Sequence, residues 1–360
     1  MIEDWLERKE VCVCAGAGGV GKTTASAAIA LGMAARGRKV AVLTIDPARR
    51  LANALGLEEL GNEEHRVDAD VSGELWAMML DPKRTFDEMV DLYAPDDATR
   101  EAVLSNRIYQ QLSSAVAGSQ EYMAMEKLYE LHQDGRYDLL VLDTPPTRNA
   151  LDFIDAPERL AAFIDSRALS VFLGPTRLGL RVFGRGAGLA FSVMQRATGV
   201  DLLRDLSEFF RSFGGMTAGF RERAESVNAL LRDHRSAFVL VTSPRRAAID
   251  EARWFHRRLV EADIPFAGVV ANRVHTAAAD PNAVAALEPE LGADLAAKVA
   301  AAAADEAALT ERDRRNLDEL RRRLGRRPLI EVPLLDDDVH DLDGLRRMDE
   351  YLFGEARPAR

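Results

Sequence analysis

The sequence feature that most constrains the fold lies at residues 16–23, near the start of the chain. These residues read Gly-Ala-Gly-Gly-Val-Gly-Lys-Thr and fit the phosphate-binding pattern G-x-x-x-x-G-K-[ST]. The apolar run at residues 11–14 predicts a buried strand before the loop, and the small residues at 24–30 predict a helix after it. A helix N-terminus that follows such a loop attracts anions. The chain is therefore predicted to bind a nucleoside triphosphate.

The residues of this loop have separate predicted roles. Backbone N–H groups of such a loop hold the phosphates, Lys22 reaches the β- and γ-phosphates, and Thr23 faces a Mg²⁺ ion. Lys22 is also a catalytic candidate, because negative charge develops on the phosphate oxygens during transfer. The residues predicted to contact the nucleotide here are Gly16, Ala17, Gly18, Gly19, Val20, Gly21, Lys22, Thr23 and Thr24.

Composition excludes some classes of protein. The formal net charge of the 360 residues is −11, whereas a general nucleic-acid binder needs a basic face, so no nucleic-acid partner is expected. The two cysteines, Cys12 and Cys14, lie two positions apart in the first predicted strand and share one of its faces. They are expected to pack in the core. No zinc is expected, because a structural zinc site needs about four ligands.

The charged residues 1–10 predict no secretion signal, and no apolar run approaches the roughly 18 residues that span a bilayer. We therefore expect a cytoplasmic protein with at most peripheral membrane contact.

Apolar runs of strand length alternate with helical patterns along the chain. They lie at residues 11–14, 40–45, 75–80, 137–142, 237–241, 266–271 and 328–332. This alternation predicts an α/β fold with a mostly parallel sheet and helices on both faces. We expect a single nucleotide-binding P-loop domain over residues 1–360, with three helices at about 82–135, further helical elements at about 150–232, and a charged insertion, a helical pair, at about 281–325.

The second predicted strand is followed by Asp46 and Pro47. One interpretation is local, because Asp is a good helix N-cap and Pro a good first helical residue. The other is functional, because ligands of open α/β sheets bind at the carboxyl ends of the strands. In that position Asp46 could orient an attacking water.

A second acidic residue, Asp143, follows the apolar residues 139–142. A buried strand that delivers a carboxylate in this way is typical of a Walker-B site, where the acid completes the Mg²⁺ shell. A carboxylate that satisfies a strand-end turn is the alternative. The next residues, Pro145 and Pro146, predict a stiff loop.

Three segments together resemble the ArsA-type ATPases, the family of arsenite-pump motors and tail-anchored-protein targeting factors. They are residues 16–24, the Asp-Pro-Ala at 46–48, and the Asp-Thr-Pro-Pro-Thr at 143–147. MinD-like ATPases and the nitrogenase iron protein are wider relatives. The resemblance implies an ATPase that uses ATP and Mg²⁺, works as a dimer, and couples opening and closing to a partner protein.

Three weaker matches extend the resemblance. Residues 118–121 look like the family's short G-x-x-E segment before a helix. Asn272, placed after a strand, matches the family's adenine-recognising asparagine, although an Asx turn would also explain it. Pro333 opens a segment similar to the family's adenine-side loop. The acids at 336–338 could instead favour the N-terminus of the last helix.

The sequence departs from the family at Ala17, where a signature lysine usually reaches the partner's nucleotide. Three outcomes are open: another cation (Arg49, Arg50 or Arg148) replaces it, a paralogous subunit supplies it, or hydrolysis is very slow. The C-x-x-C pair of zinc-linked targeting dimers and the paired cysteines of arsenite pumps are also missing. Arsenite transport is therefore not expected.

Apolar residues interleaved with arginines occupy residues 170–197. They could form ordinary subdomain core, a groove for a hydrophobic client helix, or a basic membrane-surface contact. The expected partners are therefore a second copy or a paralogous ATPase, and a hydrophobic-helix client.

Overall fold

A computed structural model describes residues 1–46, 48–115, 119–144, 200–276, 283 and 288–354. Its centre is an eight-stranded sheet in the order β3-β4-β2-β5-β1-β6-β7-β8. The strands are β1 (Val11–Ala15), β2 (Lys39–Thr44), β3 (His65–Val67), β4 (Glu74–Met79), β5 (Leu139–Asp143), β6 (Ser236–Thr242), β7 (Phe266–Val274) and β8 (Leu329–Pro333).

Helices lie between these strands along the chain. Those before β5 are α1 (Ile2–Leu6), α2 (Lys22–Ala35), α3 (Arg50–Ala54), α4 (Pro82–Tyr93), α5 (Asp97–Leu104), α6 (Arg107–Ala115) and α7 (Ser119–Asp134). Those after it are α8 (Val200–Gly214), α9 (Thr217–Arg232), α10 (Arg246–Glu261), α11 (Glu288–Leu291), α12 (Ala293–Leu324) and α13 (Leu342–Phe353).

The central strands are buried along their whole length. Every residue of β1, β5 and β6 is buried, so both faces of the sheet are covered there. All strand pairs are parallel except β3 with β4. Cys12 and Cys14 lie in the core with small residues of α2, as expected for packing thiols. The predicted α/β fold with a mostly parallel sheet is confirmed.

The apolar runs correspond to seven of the eight strands, but β3 was not predicted. It has three residues, and its His65 and Arg66 are exposed. It pairs antiparallel with β4 at the edge of the sheet. A short, polar edge strand leaves no apolar run in the sequence, because little of it is buried.

One helical segment differs from expectation. Residues 82–134 hold four helices rather than three, because the Asn106 side chain accepts hydrogen bonds from the N–H groups of Ile108 (2.9 Å) and Tyr109 (3.4 Å) and starts a new helix. In the charged stretch near the end, the described residues form two helices of very different length. They are the four-residue α11 and α12, a single helix of 32 residues.

The chain divides into two compact units. One comprises Met1–Met79, Leu131–Ala150 and Leu231–Arg360, and contains the sheet. The other comprises Leu80–Glu130 and Leu151–Leu230. Its described part packs around the rings of Phe86, Tyr109, Phe209, Phe213 and Phe220, whose neighbouring centroids lie 5.1–6.4 Å apart.

The apolar segment at 170–197 and the Pro145-Pro146 loop lie outside the described residues. None of the described helices combines the length and the apolar character that a membrane crossing requires.

Candidate nucleotide site

The loop between β1 and α2 presents backbone N–H groups at a helix start. Gly21 precedes α2 with φ 88° and, as a glycine, has no side chain that could accept hydrogen bonds from the first turn. Those N–H groups are therefore available to an anion, and the positive end of the helix dipole points the same way.

Two positions of the loop require glycine because of close approach. A Cβ on Gly16 would lie 2.0 Å from the Val241 carbonyl oxygen, and one on Gly21 would lie 2.3 Å from Asn272 Nδ2. Gly21 also has the positive φ that disfavours side chains. Gly16 therefore lets the loop pass against β6, and Gly21 lets it pass against β7.

Lys22 begins α2 and is buried. Its Nζ donates to the Ala17 carbonyl oxygen of the same loop at 2.8 Å. Burial lowers the pKa of Lys22, while the carboxylates of Asp143, Glu251 and Asp46 oppose that shift. A desolvated ammonium interacts more strongly with an anion than one in water does, because the local dielectric is lower.

Asp143 ends β5 next to Cys14 of β1 and Thr44 of β2. Its Oδ2 accepts hydrogen bonds from Thr23 Oγ1 (2.7 Å) and Thr44 Oγ1 (3.0 Å). Desolvation raises the pKa of this carboxyl to about 6, although the two hydroxyls and Lys22 act in the opposite direction.

The donor set around Asp143 fits a Mg²⁺ ion. Asp143 Oδ1 is buried and has no hydrogen-bond partner among the described residues. Such a carboxylate oxygen, beside the hydroxyl of Thr23, is the kind of ligand that Mg²⁺ takes, with substrate phosphates and water completing its shell. No cluster of three or more acidic, histidine or cysteine side chains suited to a metal occurs in the described ranges, and a phosphate-bound Mg²⁺ does not need one.

Asp46 lies just beyond β2 and is mostly shielded from solvent, with a side chain 15% exposed. The local interpretation, in which it caps a helix that begins directly after it, is wrong, since α3 begins at Arg50 and Arg49 stands at its N-cap. Asp46 Oδ1 accepts instead from the Ala48 N–H at 3.0 Å, and its own N–H donates to Thr44 Oγ1 at 3.2 Å. Its Oδ2 lies 3.5 Å from a terminal nitrogen of Arg50.

A pocket of about 590 Å³ opens above these groups. Its residues come from the loop and α2 (Gly18, Gly19, Gly21, Lys22, Thr23, Thr24), from the segment after β2 and α3 (Asp46, Arg50, Asn53, Ala54), from the residue after β5 (Thr144), from β7 (Asn272, Arg273), from the end of β8 and the segment after it (Pro333, Leu334, Leu335, Asp337, Asp338, Val339, His340) and from α13 (Met348).

Asn272 lies within β7, which continues to Val274, and not after the strand as expected. The pairing of β7 with β8 becomes irregular between Ala271 and Val274. Asn272 Nδ2 donates to the Val20 carbonyl oxygen at 3.0 Å, and Arg273 NH1 donates to that of Gly19 at 3.3 Å. The pair therefore supports the phosphate loop, and contact between Asn272 and adenine stays a prediction.

Most of the predicted site residues meet at the pocket. Asp143 does not line the pocket but accepts a hydrogen bond from Thr23, which does. Val20, a residue of the loop, is buried. Gly16 and Ala17 instead face a small space behind the loop, beside Glu251 of α10. Gly118 and Arg148 fall outside the described residues.

Sequence reasoning missed Asn53 and Glu251. Asn53 lies one turn after Arg50 on α3, so helical spacing could have indicated it. Glu251 lies on a helix rich in exposed charges, and no sequence signal distinguishes it. Its proximity to Lys22 places another carboxylate charge near the phosphate loop.

A strand, a glycine-rich loop and a helix, with a buried acid bonded to the loop threonine, define a P-loop nucleotide-binding protein. The family model described as an anion-transporting ATPase, ArsA, matches residues 9–288. The chain belongs to this family of ATPases, which confirms the resemblance seen in the sequence.

Fungal relatives named ATPase GET3 are similar to the chain. The protein from Malassezia globosa is 27% identical over 276 residues, which are 76% of each chain. That from Chaetomium globosum is 24% identical over 339 residues, covering 94% of this chain and 88% of the relative.

Replacing Asp143 with asparagine is expected to stabilise the nucleotide-free protein. Asparagine keeps an acceptor for Thr23 and Thr44 but removes a buried charge, whose raised pKa of about 6 corresponds to a cost of up to about 3 kcal/mol. That cost is fully present above about pH 6 and disappears as the pH falls to the usual range near 4. Thermal unfolding at pH 8 and pH 4 measures this. A gain in melting temperature at pH 4 equal to that at pH 8 would contradict it.

Proposed function

We propose that the chain hydrolyses ATP to ADP and phosphate with the help of Mg²⁺. The observation that carries this proposal is the buried Asp143 carboxylate, hydrogen-bonded to Thr23 of the phosphate loop and retaining one oxygen without a partner among the described residues. Membership of an ATPase family supports the same reaction.

The residues predicted from the sequence to form the site have separate roles in this reaction. Lys22, the N–H groups at the start of α2 and the loop 16–24 hold the phosphates. Thr23 and Asp143 would hold Mg²⁺, which supplies positive charge to the phosphate oxygens. Asn272 and Pro333 line the same pocket and contact the rest of the nucleotide.

Asp46 orients the attacking water and accepts its proton. The water oxygen bonds to the γ-phosphorus while the bond to the β,γ-bridging oxygen breaks, and the bonding electron pair leaves with ADP. The proton passes from Asp46 to solvent. The hydrogen bond from the Ala48 N–H fixes Asp46 Oδ1, so the carboxylate is held before the substrate arrives.

We further propose that nucleotide-driven opening and closing of a cytoplasmic dimer controls the binding of a hydrophobic client or partner protein. Asp46 follows β2 and Asp143 ends the neighbouring strand β5, so loss of the γ-phosphate would release both segments together. The resemblance to a family that includes tail-anchored-protein targeting factors supports a client with an apolar helix.

A second function is favoured by Ala17. Without a lysine there, the chain could be a weakly hydrolysing regulatory subunit of a heteromer, in which a paralog contributes the cation. Negligible turnover alone and recovery on mixing with that paralog would support this alternative.

Capture from the native cytosol distinguishes the two functions. The bait is Asp46→Asn, which should retain ATP, and the matched control is Lys22→Ala, which should not bind it. Proteins enriched only by the first are identified by mass spectrometry. Proteins with a single apolar C-terminal helix support the targeting function, whereas a stoichiometric lysine-bearing paralog supports the heteromer. Equal recovery with both baits would contradict nucleotide control.

A further inference from the structure

Two consecutive arginines, Arg49 and Arg50, follow Asp46, and the backbone separates them. Arg49 has φ 55°, in the left-handed region, and stands at the N-cap of α3, whereas Arg50 is the first residue of the helix. A single left-handed residue changes the direction of the chain sharply. The two neighbouring side chains consequently point to different surroundings.

Arg49 is engaged away from the nucleotide site. Its NH2 donates to Glu59 Oε1 at 3.1 Å, and both side chains are exposed, by 60% and 77%. Arg49 does not belong to the described residues that line the pocket. It forms an ordinary surface ion pair, an interaction that contributes little to stability.

Arg50 lines the pocket together with Lys22, Thr23 and Asp46. One terminal nitrogen of its guanidinium lies 3.5 Å from Asp46 Oδ2. The positive charge of Arg50 also acts to lower the pKa of Lys22, so Arg50 lies close enough to the phosphate loop to interact with it electrostatically. At 62% exposure the side chain is free to adjust to a ligand.

We propose that Arg50 is a catalytic residue, which stabilises the γ-phosphate of ATP in the transition state in place of the lysine missing at position 17. This inference rests on the hydrolysis proposed above. As water adds to the γ-phosphorus and the bridging bond breaks, negative charge grows on the γ- and bridging oxygens. The planar guanidinium has several N–H donors, so Arg50 can donate to a phosphate oxygen while still facing Asp46.

The Arg50–Asp46 ion pair holds the two side chains close together before nucleotide binds. It keeps the cation and the water-orienting carboxylate on the same side of the pocket in the absence of nucleotide. Since Arg50 belongs to the same chain as Lys22, the catalytic cation acts in cis. Hydrolysis then needs no lysine from a second subunit.

The test compares single-turnover phosphate release for Arg50→Ala, Arg50→Lys and the matched control Arg49→Ala. Arg50→Ala is expected to slow release by about 100-fold or more, because arginine fingers contribute about 10³–10⁵ in rate. Its affinity for ATP should change by less than about tenfold, since the interaction strengthens in the transition state. Arg50→Lys should recover part of the rate, and Arg49→Ala should stay within about twofold of the wild type.

One further measurement separates catalysis from a structural effect. Added guanidinium ion should restore part of the rate of Arg50→Ala, which a merely structural role would not allow. A wild-type rate in Arg50→Ala, or an equal loss of rate in Arg49→Ala, would overturn the proposed role of Arg50 but not the proposed hydrolysis. A wild-type chain that binds ATP and never releases phosphate would contradict both this inference and the proposed hydrolysis.

Discussion

Lys22→Ala is expected to weaken ATP binding by at least about 100-fold. Lys22 is a buried ammonium at the start of α2, and hydrogen bonds to charged groups contribute about 1.5–3 kcal/mol each, where 1.4 kcal/mol is tenfold. The loss should appear as a higher Kd in calorimetry with a non-hydrolysable ATP analogue. A smaller loss is expected with ADP, because Lys22 contacts the β-phosphate there but has no γ-phosphate to contact.

Two controls make this result specific. Lys22→Gln keeps a donor for the Ala17 carbonyl oxygen and removes only the charge, so it should fold normally and still bind poorly. Lys298→Ala removes an exposed lysine of α12 and should bind as the wild type does. Intact affinity in both Lys22 variants would overturn the assignment of the phosphate loop.

Asp46→Asn is expected to abolish turnover while leaving ATP bound. Asparagine can still accept the hydrogen bond from the Ala48 N–H, so the segment after β2 should keep its shape. The amide cannot take a proton from water, and loss of a positioned base slows such reactions by about 10²–10⁴-fold. Phosphate release should therefore fall by that factor, with Kd for ATP changed by less than about tenfold.

The matched control is Asp70→Asn, an exposed acid that does not line the pocket. It should hydrolyse ATP at the wild-type rate. If Asp46→Asn also hydrolysed ATP at that rate, Asp46 would have no part in the reaction. If it lost ATP binding, its role would be in holding the nucleotide.

The fold was predictable because its determinants are local. Buried parallel strands appear as apolar runs, and the phosphate loop has a fixed spacing. The strand β3 is too short and exposed to leave such a signal. β7 was predicted to end at Ala271, because Asn272 and Arg273 interrupt its apolar run, yet the strand continues to Val274.

The site was predictable in its residue types but not in its geometry. Asp and Pro at positions 46 and 47 favour a helix start there, yet α3 begins at Arg50. The left-handed backbone of Arg49 has no sequence signature, since such a conformation is uncommon outside glycine. The different surroundings of Arg49 and Arg50 could therefore be learned only from the structure.

The most direct test of hydrolysis is single-turnover phosphate release by the purified chain, with protein in excess over γ-labelled ATP. We predict release of labelled phosphate that depends on Mg²⁺, stops on addition of a chelator, and is slower by about 10²–10⁴-fold in Asp46→Asn. ATP that stays bound to the wild-type chain with Mg²⁺ present, without release of phosphate, would contradict the account.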